Sequence, residues 1–340
     1  MRPLLFIIIV AALTTRAAAE EAVPAAWRTG EFRWTSSAPL VAPAEREDDP
    51  CDSIKDPTVV FHDGRWHVFC TIRSHKRSHQ IEYLSFVDWK DADRAPRHIL
   101  KLNDGYFCAP QVFYFTPHKK WYLLYQVANK PNTKPGLLPA FSTSDRIDDP
   151  AGWSKPVPLY HQSVPKIDHW IDFWIICDAT HAYLFATSND NHLWRSATTL
   201  ADFPHGWSEP ALALRDDIFE ASHTYRVKGH DLYLTLIEAQ GAGGRRYYKA
   251  YTASKLAGKW EPLAATAGQP FASSANVTFP GEPWSQSISH GELLRIGVDE
   301  HLEIDPGRLE FLYQGVLDAD RAGKPYGKIP WRLGLLKSAP

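Results

Sequence analysis

The sequence predicts an all-β chain folded as a five-bladed β-propeller, and three observations carry that prediction. Strand-like runs rich in Val, Ile, Tyr, Phe and Trp fold about short polar turns at five places. The turns recur at intervals of roughly 50 to 70 residues, the length of a unit of four short strands. Behind the first four hairpins a loop brings up a tryptophan at the same stage of each unit.

The hairpins run in order along the chain. TVVFHDGRWHVFCTI (58–72) turns at His62–Gly64, and VFYFTPHKKWYLLYQV (112–127) at Pro117–Lys120. FWIICDATHAYLFAT (173–187) turns at Asp178–His181, and SHTYRVKGHDLYLTLIEA (222–239) at Lys228–Asp231. The fifth, ELLRIGVDEHLEI (292–304), is expected to turn at Gly297–His301. The matched tryptophans are Trp89, Trp153, Trp207 and Trp260. Equivalent packing between neighbouring sheets explains them better than sugar stacking does, and a single β-sandwich would leave them unexplained.

Residues 1–19 read as a secretory signal peptide, with a basic start at Arg2, an apolar run Leu4–Leu13 and small residues Ala17–Ala19. The run is too short to span a bilayer, so a secreted chain, extracellular or periplasmic, is expected. Residues 20–48, rich in Ala, Pro and charge, are expected as an extended N-terminal arm. The propeller should then occupy 49–340.

The 37 basic and 39 acidic residues nearly balance, with no basic block, which argues against nucleic acid or an anionic membrane as partner. Cys51, Cys70, Cys108 and Cys177 lack the close pairs of a zinc site and leave zero to two disulfides open. The 13 Trp, 14 Tyr and 16 Phe suit sugar C–H faces, although aromatics also fill β cores.

In a propeller the innermost strand of each blade lines the channel, and chemistry should be sought where those strands begin. Asp56, in IKDPTVVF, opens the first strand of unit one. Asp172 interrupts the otherwise apolar HWIDFWIICD (169–178) at the start of unit three, and Glu220, in DIFEASHTY, opens unit four. Each alone reads equally as a strand-end carboxylate capping a turn. All three at one topological position point to a pocket at the axis. Such a set suits glycoside hydrolysis: one acid protonates the leaving oxygen, another activates water, and a third raises the first acid's pKa.

The chain resembles glycoside hydrolase family 62, the α-L-arabinofuranosidases acting on arabinoxylan. The matching stretches are KDPTVVFHDGRWHVF, CAPQVFYFTPHKKWYLLYQ, WIDFWIICD, IFEASHTYRVKG, GGRRYYKAYT, FASSANVTFPG, SISHGELLR and LEIDP followed by FLYQG, from Lys55 to Gly315. The resemblance implies a five-bladed propeller and an inverting mechanism, with Asp56 as general base, Glu220 as general acid and Asp172 tuning and positioning the acid. It also implies sugar contacts from Lys55 and Arg246. Tyr106, Phe107, Trp170 and Asn276 are further candidates for sugar contact. His290, in SISHGE, completes the ring at the axis, both as a substrate-binding candidate and as a ligand for the structural calcium that such propellers often hold. Calcium prefers oxygen, so Gln111 and water would complete that set. His169 stands where many members carry glycine, and Phe107 where some carry arginine, which marks a divergent branch. A monomer is expected. The weighed alternatives are a family 43 xylosidase or arabinanase activity, and a non-catalytic sugar-binding propeller.

Overall fold

The computed structural model describes residues 23–160 and 167–339; the expected signal peptide lies outside the described residues. Five sheets are arranged as the blades of a propeller. Blade one is Cys51–His62, Arg65–Ser74, Ser78–Phe86 and Arg97–Ile99, each strand antiparallel to the next. Blade two is Phe107–Phe115, Lys120–Ala128, Leu137–Ser144 and Val157–Pro158, and blade three is Ile171–Cys177, His181–Thr187, His192–Thr199 and Ala211–Arg215. Blade four is Glu220–Val227, Tyr233–Gln240, Arg246–Ala253 and Glu261–Thr266. The inner strands are buried on both faces, hence their near-continuous apolar runs.

Blade five departs from the expected hairpin. Its inner strand Ser287–Leu293 pairs with Glu310–Val316, not with the stretch ending in LEI. Glu303–Ile304 lies parallel to Arg226–Val227 on blade four instead. The third strand is Arg332–Ser338, and the fourth, Trp34–Ser36, comes from the other end of the chain. The segment expected as an extended N-terminal arm thus supplies a strand that closes the ring. Trp34 is buried, its indole Nε1 donates to the Phe271 carbonyl at 2.6 Å, and its ring packs edge-on to Phe271.

Three of the four matched tryptophans pack toward a neighbouring blade, directly or through one ring. Trp153 of blade two meets Phe69 of blade one edge-on at 5.6 Å, and Trp260 of blade four meets Phe185 of blade three at 6.1 Å. Trp207 packs on Phe203, which in turn contacts Phe115 of blade two at 4.3 Å. Trp89 packs on Trp66 and Phe86 within blade one. All four cysteines are free. Among the described residues, no helix is long and apolar enough to cross a membrane.

Candidate active site

Each inner strand carries a β-bulge at the same depth, between Lys55 and Thr58, Cys108 and Gln111, Ile171 and Trp174, Glu220 and Ser222, and Ser289 and Gly291. A bulge re-aims the side chains at the break and frees a backbone N–H from the ladder. In four blades the bulged residue adopts positive φ: Asp56 at 49°, Ala109 at 52°, Asp172 at 55° and Ala221 at 52°. Non-glycine residues hold that conformation at a cost of about 1–3 kcal/mol each, so the surroundings must fix it.

They do so by one repeated device. The freed N–H of each bulge is caught by a side chain of the preceding blade. Thr71 Oγ1 accepts from Ala109 at 2.8 Å, Gln126 Oε1 from Asp172 at 3.1 Å, and Asp172 Oδ2 from Ala221 at 3.0 Å. Glu238 Oε2 accepts from His290 at 2.6 Å, and Gln314 Oε1 from Asp56 at 2.7 Å. Four of these five acceptors lie on second strands, directly opposite the residue before their own blade's bulge. Blade three has Thr187 there, and the longer Asp172 takes its place.

Asp56 and Asp172 are therefore equivalent bulge residues, but Glu220 is not their equivalent. It stands one position earlier, in register with Lys55, Cys108 and Ile171. Nor do all the acids open their strands, since Asp56 lies well inside Cys51–His62. The bulge, which alternation alone does not show, brings the three acids together.

All three line one pocket of about 390 Å³, with Lys55, Tyr106, Arg246 and His290. That size suits a small ligand. Lys55 Nζ lies 3.6 Å from Asp56 Oδ2, and His290 Nδ1 lies 3.4 Å from Asp56 Oδ1 and 3.9 Å from Asp172 Oδ2. Burial pushes Asp56 upward, but Lys55, His290 and a hydrogen bond from Thr71 outweigh it and hold the carboxyl below its ordinary value. Burial dominates at Asp172 and leaves it raised despite His290. At Glu220, burial, then Glu238, then Asp172 push the carboxyl well above its ordinary value, and Arg246 and Lys55 only partly offset them. The pocket thus holds Asp56 biased to the charged form, and Asp172 and, more strongly, Glu220 biased to the protonated form.

Several expected residues lie elsewhere. Phe107 is fully buried against Tyr125. Trp170 is buried, its Nε1 donating to the Leu137 carbonyl at 2.8 Å. Asn276 faces the N-terminal strand: its amide donates to the carbonyls of Phe32, Pro270 and Phe271 at 3.0, 3.1 and 3.1 Å. None of the three lines the pocket. All are apolar or amide residues in strand-like context, where pocket and core look alike in sequence.

Gln111 does not line the pocket that His290 lines. Its amide bonds both backbone groups of Ile175 in blade three, at 2.7 Å each. Inner-strand carbonyls of Val59 and Val112 accept from Arg295 at 3.1 and 2.8 Å, so a cationic side chain already satisfies them. Among the described residues, no group of three or more His, Cys, Asp or Glu is arranged to hold a metal ion. Of the two expected calcium ligands, His290 lines the pocket and Gln111 already has its amide engaged by Ile175.

Other lining residues carried no readable signal. Tyr326, from the excursion between the second and third strands of blade five, stands over Lys55 with its ring centroid 4.9 Å from Nζ. Phe219 carries Arg246 on its ring at 3.9 Å, and Asn189 links His169 to the Phe219 carbonyl. Glu238 lies behind the pocket, bound to Arg246. Its place in LTLIEAQ could have flagged it, as an acid in an apolar strand opposite Glu220.

Cleaving a glycosidic bond by acid–base catalysis needs two carboxyls held in opposite protonation states about a sugar-sized pocket, and this axial pocket supplies them. The class so defined is a propeller glycoside hydrolase. Residues 33–337 match the model of glycosyl hydrolase family 62, and the chain belongs to that family. Alpha-L-arabinofuranosidase C of Cellvibrio japonicus is 40% identical over 316 residues, which cover 90% of this chain and 47% of that protein. The chain therefore spans about half the length of this curated relative. The catalytic domain of a family 62 α-L-arabinofuranosidase from Coprinopsis cinerea superposes with a TM-score of 0.85 at 41% identity, covering 91% of this chain and 98% of that one. A family 62 hydrolase crystallised with xylotriose gives 0.84 at 39% identity, covering 92% and 98%.

Proposed function

We propose that this protein is a secreted α-L-arabinofuranosidase that removes arabinofuranosyl side chains from arabinoxylan with inversion at the anomeric carbon. The observation that carries the reading is the opposite bias of Asp56 and Glu220 in one pocket of a family 62 chain. The names of the similar proteins support arabinofuranose as the sugar removed, and the xylotriose complex supports a xylan main chain. The leader-like residues 1–19 support export.

In this reading Asp56, kept ionised by Lys55 and His290, takes a proton from the water that attacks the anomeric carbon. Glu220, kept protonated, gives its proton to the departing xylose oxygen. Asp172 accepts the Ala221 N–H and thereby fixes the backbone beside the acid. Lys55, Arg246 and Tyr326 face the sugar. Activity should fall on the alkaline side as Glu220 ionises, and on the acid side only below the ordinary carboxylate range, where Asp56 becomes protonated.

Release of arabinose from wheat arabinoxylan tests this, with Glu220→Gln beside the wild type. The variant should lose roughly 10²-fold or more on the polysaccharide and much less on 4-nitrophenyl α-L-arabinofuranoside, whose leaving group needs little protonation. Proton NMR should show the β-anomer of arabinose first. Xylose or linear arabinan products without arabinose release from arabinoxylan, or early α-anomer, would overturn the corresponding part of the proposal.

A further inference from the structure

Glu238 is an acid where its place in the fold does not require one. In the ring of inter-blade acceptors, the equivalent second-strand positions hold Thr71, Gln126 and Gln314, all neutral, and each catches the next blade's N–H at 2.7 to 3.1 Å. A glutamine amide oxygen does this work in blades two and five. Blade four alone places an acid at this second-strand position, fully buried and facing Glu220 across the strand pair. Its partners are the Arg246 guanidinium at 2.9 Å, the Ser289 hydroxyl at 3.0 Å and the His290 N–H at 2.6 Å. The same Arg246 nitrogen reaches Glu220 Oε1 at 3.2 Å. One guanidinium is thus shared between two carboxyls.

We propose that Glu238 is a positioning residue for the general acid: it draws Arg246 away from exclusive pairing with Glu220 and sets a second negative charge behind it, which keeps Glu220 protonated for catalysis. The proposal rests on Glu220 being the acid. The groups that face Glu220 are Glu238 and Arg246 from its own blade, Asp172 from blade three, Lys55 from blade one, and Tyr326 from the blade-five excursion. Burial pushes the Glu238 carboxyl upward as well, while Arg246, the His290 N–H and the Ser289 hydroxyl act to hold its charge, with the Tyr248 phenol nearby. Burial is the largest influence raising Glu220, and Glu238 comes next, ahead of Asp172. An arginine next to an acid would otherwise favour its ionised form, the wrong state for protonating a leaving group. Glu238 reverses that effect and still lets Arg246 lie on the Phe219 ring at the pocket wall.

Glu238→Gln installs the residue type the ring already uses in blades two and five, so the fold should persist. It deletes one negative charge and leaves Arg246 to Glu220 alone, and both changes lower the acid's pKa. The alkaline limb of the pH–rate profile on arabinoxylan should move down by about one pH unit or more. The rate on 4-nitrophenyl α-L-arabinofuranoside should change little. Glu238→Asp keeps the charge, and its limb should stay close to that of the wild type. An unmoved or upward-moved limb in folded Glu238→Gln would overturn the proposal. So would a Glu238→Gln chain that does not fold while Glu238→Asp does, because the charge would then be a requirement of the fold. Glu220→Gln separates this failure from failure of the functional reading. If it retains activity on arabinoxylan, Glu220 is not the acid; if it loses that activity while the Glu238→Gln limb stays fixed, only the role of Glu238 falls.

Discussion

At the scale of single residues, Asp172 shows why an acid is tolerated in HWIDFWIICD. It is a bulge residue at positive φ, its own N–H is held by Gln126, and its carboxylate holds the N–H of Ala221. A short polar side chain accepts that left-handed conformation more readily than a β-branched one would. Asp172→Asn keeps an oxygen for Ala221 but removes a charge that helps to raise Glu220. The alkaline limb of the pH–rate profile should therefore move to lower pH, and activity at neutral pH should drop by roughly 10²-fold on arabinoxylan, less on the nitrophenyl substrate. A stability loss with an unmoved profile would reduce Asp172 to a structural clip. The expected coincidence of three acids holds, whereas the role of Glu238 as a stronger neighbour of Glu220 than Asp172 does not show in the sequence.

At the scale of elements, the inner strands were legible as buried β runs, and the first four hairpins turn where the polar residues predict. The bulges were not legible. A bulge slips the side-chain phase by one residue, so alternation places Glu220 beside Asp56 and Asp172 when it stands one position off. The fifth hairpin failed for a related reason: LEI has strand composition, but the inner strand finds a better-matched partner in EFLYQGV. Gln111 belongs to this scale, because it clips blade two to blade three through Ile175. Gln111→Leu would leave a buried N–H and a buried carbonyl unpaired and should cost about 2–6 kcal/mol in denaturant unfolding, since each such group costs about 1–3. The loss should be the same in calcium and in chelator. A loss that appears only with calcium present would return Gln111 to the role of metal ligand.

At the scale of the whole molecule, the ring is closed by pairing the two ends of the chain. Trp34–Ser36 forms the outer strand of blade five, held by Arg332–Ser338 on one side and by Val277–Thr278 on the other. Asn276, expected to touch sugar, locks this junction from the loop beside it. Trp34→Ala removes a fully buried indole and its hydrogen bond at the seam, and should destabilise the protein by about 3–5 kcal/mol by chemical denaturation. Loss of less than 1 kcal/mol would show that blade five closes without its N-terminal strand. The Asp56 site should survive in the folded fraction, because its backbone is held by Gln314 from the strand next to the seam rather than by Trp34.

By itself the sequence determined the β class, the number of blades, the order of four hairpins and the acids Asp56 and Glu220 of the axial pocket, because hydrophobic period, turn chemistry and buried charge are local properties of the chain. Tertiary structure alone decided which amides and aromatics face the pocket. Gln111, Gln126 and Gln314 look alike in sequence; only Gln126 borders the site, and all three are fixed by backbone groups of a neighbouring blade. It also decided that Tyr326 and Glu238 belong with the acids and that Trp34 completes the last blade. Such assignments depend on which strands become neighbours after ring closure and on bulges that shift side-chain phase by one residue. Neither quantity is written in the local pattern.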